Sequence, residues 1–366
     1  MRAYLDNPAA MMKSDPEGMS AMLAGFGGQL EEALRMELDL ESFSIGEIQN
    51  ILICGRGGSA VGGDLLKSYL GTELKIPLYV NRSHTLPGFA GPSTLAVICS
   101  YSGETKETLS AFHEARKAKC SIICWTSNGC LQDLAKKHGL AHIKVPSGLP
   151  PRTSLAYSTI PLLRILAQKG LVSDRSDEIQ DALEGVKKFI ENYRLETPVE
   201  DNEAKQLALK VYGKIPLVYG SQDRLDVVAN RWREQFAENS KQLSYSGALP
   251  EMNHNEIAGW KHPSSMLAQF IPIFLCDKDD HPEIQMRIEL TKEVLSGKAE
   301  EVLECSSQGG NWMERLWSLI LLGDYTSLYL AFLNMENPVP VEVINDFKSY
   351  LEHELKDSPK EWKNGD

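Results

Sequence analysis

Between residues 50 and 146, short apolar segments alternate with segments of helical pattern. The apolar segments are NILICG, IPLYVN, STLAVICS, CSIICWTS and AHIKVP. Strands that alternate with helices favour a parallel sheet, because parallel neighbours need a crossover connection that usually contains a helix. Such a sheet is covered by helices on both faces. The alternation therefore predicts an α/β fold built on a five-stranded, mainly parallel sheet.

A weaker copy of this pattern follows in the second half of the chain. KIPLVYGSQ has the strand, glycine and polar turn of the first half, and SMLAQFIPIFLCD and AEEVLECSS are further strand candidates. A chain of 366 residues has room for two domains. We predict an internal duplication in which each half is a mainly parallel five-stranded sheet flanked by helices. The predicted division is an N-terminal helical segment at 1–45, a first domain at 46–195, and a second domain with C-terminal helices at 196–366.

Composition limits the classes of partner and site. The net charge of -12 disfavours nucleic acid and anionic membrane surfaces as partners. No segment reads as apolar for long enough to span a bilayer. The seven cysteines form no CxxC pair, and an odd count in a long chain indicates reduced thiols and a cytoplasmic protein. The eight histidines form no HExxH motif, so we predict neither a metal site nor a cofactor.

The first predicted strand ends in GRGGSAVGG, where five glycines surround Ser59. The spacing GxGxxA is that of a dinucleotide-binding turn. That function requires an acidic residue at the end of the next strand to bind a ribose hydroxyl, whereas this strand ends in Asn81 and Arg82. An arginine suits a phosphorylated ribose, so a nucleotide-dependent oxidoreductase stays open as a weaker alternative.

The third predicted strand ends in CSYSGETKETL, which places Ser100, Ser102 and Thr105 at the start of a helix. Helix capping accounts for one of these hydroxyls but not for three, although capping alone stays an alternative. Helix N-termini bind phosphate through free N–H groups, and hydroxyls add neutral donors. Open α/β sheets bind ligands at the carboxyl ends of their strands. We therefore predict that Ser59, Ser100, Ser102 and Thr105 together hold one phosphate monoester.

Three further residues have side chains suited to catalysis. Arg152 follows two prolines in GLPPRTS, so a stiff segment presents it, either for a structural ion pair or to stabilise an oxyanion. Glu238 lies in AENSK near the end of an amphipathic helix, where a glutamate is usually solvated surface. His254 lies in the polar stretch LPEMNHNEIAGW, which suits either a loop that caps a helix at Asn253 or Asn255, or proton transfer.

The order of these motifs resembles a known family. SYSGET after a strand, with GGSAVGG before it, resembles the sugar isomerase (SIS) domain, which binds phosphosugars through a Ser/Thr loop of this form. With PPR, ENSK, PEMNHNE and the closing segments GDYTSLYLA and VEVINDFKSYL, most of the chain is similar to the bifunctional phosphoglucose/phosphomannose isomerase family. Glu238 and His254 are 16 residues apart, as are that family's base and ring-opening histidine.

The resemblance implies an aldose–ketose isomerisation that needs no metal. Glucose 6-phosphate, together with mannose 6-phosphate, would interconvert with fructose 6-phosphate through a cis-enediolate. Glu238 would move a proton between C1 and C2, His254 would open the sugar ring, and Arg152 would stabilise charge on the enediolate oxygens. Backbone N–H groups near Gly58 would approach the sugar. Lys348 matches a lysine that the family places near the sugar.

The resemblance also implies a homodimer, because the family's histidine reaches the site from the neighbouring subunit. Val339 stands where we expect a small polar residue, so the use of mannose 6-phosphate stays open. A phosphosugar-binding SIS regulator without turnover would keep the serines but need neither Glu238 nor His254. An isomerase of another phosphosugar is a further alternative; for an aminosugar phosphate, the chain lacks a glutaminase-like N-terminal cysteine.

Overall fold

The computed structural model of the protein describes residues 1–38, 46–71 and 73–357. Within these residues the chain forms the predicted α/β architecture, with two parallel sheets surrounded by helices. The strands are β1 (Asn50–Cys54), β2 (Leu78–Asn81), β3 (Thr94–Cys99), β4 (Ser121–Thr126), β5 (Ala141–Lys144), β6 (Ile215–Ser221), β7 (Tyr245–Leu249), β8 (Phe270–Cys276) and β9 (Leu303–Ser306). The helices are α1 (Arg2–Leu5), α2 (Pro8–Met11), α3 (Met19–Ala24), α4 (Phe26–Arg35), α5 (Gly58–Leu70), α6 (Lys106–Lys117), α7 (Gly129–Lys137), α8 (Leu155–Gln168), α9 (Ser176–Tyr193), α10 (Glu203–Val211), α11 (Asp226–Ser240), α12 (Pro282–Leu295), α13 (Trp312–Leu333) and α14 (Glu342–Asp357).

The first sheet has the five predicted strands in the order β2-β1-β3-β4-β5, and all of them are parallel. Every residue of β3 is buried, as expected for a central strand that is covered on both faces. Because β1 and β3 are neighbours, the glycine-rich and serine-rich loops that come after them emerge side by side at the carboxyl edge.

The second sheet is also parallel but has four strands in the described residues, in the order β7-β6-β8-β9. The prediction of five strands is wrong for this part of the chain. One of the four, β7, was not predicted, because an edge strand with an exposed Tyr245 and Ser246 lacks a continuous apolar run. Between β7 and β8 the chain forms short 3₁₀ turns instead of an α-helical crossover.

Helix α13 is the central helix of the protein and packs against α9, α10 and α11. By length and composition alone α13 could cross a membrane, which the sequence pattern did not suggest. The apolar stretch of this helix is entirely buried inside the protein, and Arg315 and Asp324 within the helix form buried ion pairs. Burial by the surrounding helices accounts for its apolar composition.

The described N-terminal residues pack on their own chain. Helix α4 lies against α8 and α9, and the ring of Phe26 is 5.0 Å from that of Trp317. Gln29 donates to the carbonyl of Thr153 at 2.8 Å. The strands of the two sheets fall in the ranges 46–195 and 196–366, but the exact domain division stays a prediction because α13 packs against helices from both ranges. Residues 39–45 of the predicted N-terminal segment lie outside the described residues.

Candidate active site

The glycine-rich loop connects β1 to α5 and brings Ser59 into the first turn of that helix. Gly57 has φ +49°, a conformation that L side chains rarely adopt. Ser59 is buried, and its Oγ accepts from the backbone N–H of Tyr101 at 3.2 Å. This bond joins the two loops, so Ser59 and the serine loop lie together as predicted.

The serine loop holds its hydroxyls in a bonded set before α6. Ser100 Oγ donates to Thr105 Oγ1 at 3.0 Å, and the exposed Ser102 accepts from the N–H of Glu104 at 3.3 Å. Thr105 occupies the N-cap position, yet its side chain makes no capping hydrogen bond. The capping alternative therefore lacks its defining interaction, and the N–H groups of the first turn have no intrahelical acceptor.

Two neighbours of these hydroxyls fix the loop. Gly103 has φ +72°, and a Cβ there would lie 1.9 Å from the carbonyl oxygen of Asn128. Glu104 precedes the helix and accepts from the N–H of Cys130 at 2.7 Å. The glycine of the SYSGET motif is thus required by close backbone contact and by its conformation.

The segment that leads to Arg152 is attached to both loops. Tyr101 donates its hydroxyl to the carbonyl of Pro146 at 2.9 Å and accepts from the N–H of Leu149 at 3.1 Å. A Cβ at Gly58 would lie 2.7 Å from the carbonyl carbon of Pro151. The start of α5 and the PPR segment are therefore in direct backbone contact.

Arg152 is buried, and all three nitrogens of its guanidinium make hydrogen bonds. Nη1 lies 3.1 Å from Glu238 Oε2, and Nε donates to Asn239 Oδ1 at 2.7 Å. Nη2 donates to the carbonyls of Pro338 and Val339, both at 2.8 Å. Burial lowers the pKa of Arg152 from its ordinary value, and the nearby Glu238 opposes that shift. The guanidinium thus forms the structural ion pair and also lies beside the predicted base.

A second layer of polar side chains supports Arg152 from α11 and α13. Arg231 and Asp324 form a buried two-point ion pair at 3.1 and 2.7 Å, and Arg231 also donates to the carbonyl of Arg152 at 2.9 Å. Asn239 donates to Ser327 Oγ at 2.8 Å. Burial raises the pKa of Asp324, and Arg231 acts against that rise. The backbone and the side chain of Arg152 are thus both held in place.

Glu238 lies near the C-terminus of α11, and its side chain is 30% exposed. Lys241 Nζ donates to the carbonyl of Glu238 at 3.0 Å and to that of Asn337 at 2.5 Å. Residues 337–341, here called the strap, are the last part of the connection from α13 to α14 and are bound both by Lys241 and by Arg152. The glutamate is accessible but surrounded by fixed groups.

His254 does not meet Glu238 within one chain. It is exposed and comes after β7 at the carboxyl edge of the second sheet, whereas Glu238 ends a helix that returns to the amino edge. Strand β7 has five residues and so spans roughly 16 Å. The neighbouring Asn255 caps a 3₁₀ turn, in agreement with the capping role that the sequence suggested for Asn253 or Asn255. Asn253 donates to Thr291. Within the described chain the imidazole of His254 has no hydrogen-bond partner.

Lys348 lies on α14, six residues after Glu342 and roughly 9 Å further along the helix axis. Its side chain is exposed. Burial lowers the pKa of Lys241, and Glu342 in the first turn of α14 is among the carboxylates that act against this shift. Within the described residues, no hydrogen bond or ion pair joins Lys348 to Arg152 or Glu238.

The corresponding edge of the second sheet is filled by its own ion pairs. Asp277 pairs with Arg224 at 2.9 Å and with Arg315 at 2.7 Å, and Ser221 donates to Asp280 at 2.7 Å. Burial acts to raise the pKa of Asp277, but hydrogen bonds from Arg315 and a serine hydroxyl outweigh it and hold the pKa low. Buried carboxylates repel an anion, so this edge lacks the features of the phosphate site that the sequence predicts for the first half.

The described residues contain no group of three or more His, Cys, Asp or Glu that could hold a metal ion. Three residues that the sequence did not single out lie beside the predicted site residues. Tyr101 and Asn239 lie inside quoted motifs, so their positions were visible but their contacts were not. Arg56 lies between glycines of the first loop, and its Nε is 3.4 Å from Glu107 Oε1.

Comparisons with known proteins agree with this arrangement. Residues 200–351 match the family described as the bacterial phospho-glucose isomerase C-terminal SIS domain. The chain is 41% identical over 311 residues to a bifunctional phosphoglucose/phosphomannose isomerase of Caldicellulosiruptor bescii, covering 85% of this chain and 91% of that protein. It is 34% identical over 304 residues to a protein of the same description from Aquifex aeolicus, covering 83% and 90%.

Among solved structures, the hypothetical protein TT0462 of Thermus thermophilus is similar with a TM-score of 0.73. The match covers 95% of this chain and 93% of that one at 16% sequence identity. At this identity the likeness concerns the fold alone, and it extends over both halves of the chain.

Proposed function

This chain belongs to the bifunctional phosphoglucose/phosphomannose isomerase family, and from that premise we propose that it interconverts glucose 6-phosphate and mannose 6-phosphate with fructose 6-phosphate. The observation that carries the proposal is the contact chain from the glycine loop through Pro151 and Arg152 to Glu238. It supports a carboxylate from the second half acting on a sugar whose phosphate is held by the first half.

The phosphate binds at the N-terminus of α6. Ser59, Ser100, Ser102 and Thr105 donate to its oxygens, together with the free N–H groups of the first helical turn. The 3.0 Å bond between Ser100 and Thr105 holds two of these hydroxyls side by side before ligand arrives. Anchoring the phosphate limits how far C1 and C2 of the open sugar can lie from the phosphate site, so binding also orients the reacting carbons.

Glu238 acts as the base. It takes the proton from C2 of the open-chain aldose, the C–H electron pair forms the C1–C2 double bond, and negative charge develops on O1. Arg152 lies beside this carboxylate and stabilises the enediolate oxygens. A proton then passes from O2 to O1, the C2=O bond forms as the C1–C2 double bond opens, and the proton that Glu238 returns to C1 gives the ketose. Because C2 is planar in the enediolate, return to either face of C2 yields glucose or mannose configuration.

Ring opening is assigned to His254 of the partner subunit in a homodimer. Two observations support this: the exposed His254 is far from Glu238 of its own chain, and α14 exposes large apolar side chains that a second copy could cover. These exposed side chains on α14 are Val343, Ile344, Phe347, Tyr350 and Leu351. Lys348 on the same helix would approach the sugar upon assembly.

We also propose a cytoplasmic location. The structure describes all seven cysteines as free thiols, and several of them are buried. Free thiols suit a reducing compartment.

A coupled assay that offers glucose 6-phosphate and mannose 6-phosphate separately, with no metal added, tests the proposal. We expect fructose 6-phosphate from both sugars. Turnover of glucose 6-phosphate alone would restrict the substrate range, and Val339 on the strap would then be the first position to exchange for threonine. Binding of both sugars without turnover of either would instead support a phosphosugar-binding regulator.

A further inference from the structure

Arg56 connects the two loops that form the proposed phosphate site. Its backbone carbonyl accepts from the N–H of Ser59 at 3.1 Å, so the turn that positions Ser59 also fixes the start of the Arg56 side chain. The side chain then leaves the glycine loop, and Nε lies 3.4 Å from Oε1 of Glu107 in the first turn of α6. Arg56 therefore crosses from the loop after β1 to the helix after β3.

We propose that Arg56 is a substrate-binding residue that exchanges Glu107 for the phosphate of the sugar. This inference rests on the proposed function, because it assumes that the phosphate lies between these two loops. In the unliganded protein the guanidinium neutralises a carboxylate at the helix N-terminus. When the phosphate enters, the guanidinium rotates from the singly charged carboxylate to the phosphate dianion.

The charges at the site support this exchange. The side chains assigned to the phosphate are neutral hydroxyls, and the whole protein carries a net charge of -12. A phosphate dianion that approaches Glu107 is therefore repelled unless a cation lies beside it. Guanidinium binds phosphate through two parallel hydrogen bonds, which makes arginine suited to this task.

The Arg56–Glu107 pair is weak enough to be replaced. The side chains are 44% and 27% exposed, and exposed ion pairs contribute little to stability. His84 also lies near this carboxylate, with Nε2 3.9 Å from Oε1, so Glu107 keeps a polar neighbour after Arg56 leaves. The exchange thus needs only a side-chain rotation at the protein surface.

Arg56→Met is the test, and Arg82→Met is its matched control. Arg82 forms an ion pair with Asp64 whose side chains are 42% and 24% exposed, close to the exposures of the Arg56 pair. For Arg56→Met we expect the KM for glucose 6-phosphate to rise about ten-fold or more, with kcat within about two-fold of wild type. The Kd for inorganic phosphate, measured by calorimetry, should rise by a similar factor.

The reciprocal variant, Glu107→Gln, should lower the Kd for inorganic phosphate because it removes the competing anion. Equal KM and Kd values in Arg56→Met and Arg82→Met would overturn the proposal and leave Arg56–Glu107 as a surface ion pair. Phosphate binding is measured without turnover, so it tests Arg56 even if the wild-type protein converts neither sugar. Failure of the proposed function is thereby distinguished from failure of this inference.

Discussion

Nη1 of Arg152 lies 3.1 Å from Oε2 of Glu238, although the two residues come from different halves of the chain. The same guanidinium also binds Asn239 and two carbonyls of the strap. One buried arginine thus joins the PPR segment, the end of α11 and the approach to α14. The position of the proposed base depends on this junction.

Arg152→Lys tests the junction. Lysine keeps the charge but has one nitrogen in place of the three-nitrogen fork, so Asn239 or the strap carbonyls lose their donor. We expect the free energy of unfolding to fall by about 2–4 kcal/mol, and kcat to fall by about 100-fold or more. The control is Arg82→Lys in the exposed pair with Asp64. An unchanged kcat in a destabilised Arg152→Lys protein would limit Arg152 to a structural role.

Gly58→Ala tests the contact between the glycine loop and the PPR segment. The added Cβ would lie 2.7 Å from the carbonyl carbon of Pro151 and 3.0 Å from the nitrogen of Arg152, so backbone must shift. Such overpacking costs about 1–3 kcal/mol. We expect kcat/KM to fall at least about ten-fold because Arg152 moves with its segment. Gly88→Ala, with open space around its Cβ, should match wild type in both stability and activity.

Mixing two inactive variants tests the shared site. Glu238→Gln supplies an intact His254, and His254→Asn supplies an intact Glu238. In a two-fold dimer, random mixing makes half of the dimers mixed, and each mixed dimer has one complete site. We expect about one quarter of wild-type activity after unfolding and refolding the mixture. If His254 served its own chain, mixing would restore nothing.

Lys205 provides a pH-dependent test of stability outside the site. This buried lysine donates to the carbonyls of Leu5, Leu195 and Thr197 at 2.7, 2.8 and 2.7 Å, which ties the N-terminus to the segment between α9 and α10. Burial lowers the pKa of Lys205 to about 8. An unfolded lysine titrates near pH 10.4, so between these values the unfolded chain binds more protons.

The contribution of Lys205 to stability should therefore increase as the pH rises from 8 to 10. Chemical denaturation of wild type and Lys205→Met over this interval measures it as the difference in the free energy of unfolding, since other titrating groups act equally on both proteins. At pH 7 we expect Lys205→Met to be less stable by about 2–4 kcal/mol because the three carbonyls lose their donor. A difference that shrank with rising pH would mean that the carbonyls hold the ammonium charged.

The sequence predicted the first sheet well because its strands are uninterrupted apolar runs with helical segments between them. The letters SYSG illustrate the limit of such patterns, since they occur twice. At Ser100 they form the loop before α6, whereas from Ser244 they run into strand β7. The residues beyond the shared letters decide the structure: ETKET starts a helix, and ALP continues an edge strand.

For the site, the predicted grouping of the serine hydroxyls came from sheet topology, since loops after neighbouring parallel strands meet at one edge. The four hydrogen bonds of the Arg152 guanidinium could not be predicted, because their acceptors lie 86 to 187 positions away in the sequence. The distance between Glu238 and His254 likewise depends on tertiary structure. Only the family resemblance suggested that a second chain completes the site.

Solvent exchange at C2 tests whether Glu238 moves a proton on a sugar that is held by its phosphate. Glucose 6-phosphate is incubated in D₂O with wild type or Glu238→Gln, and deuterium at C2 is followed by NMR, with calorimetry of inorganic phosphate binding as control. We expect deuterium incorporation by the wild type, none by Glu238→Gln, and the same phosphate affinity in both. Exchange by Glu238→Gln at the wild-type rate would show that Glu238 is not the base.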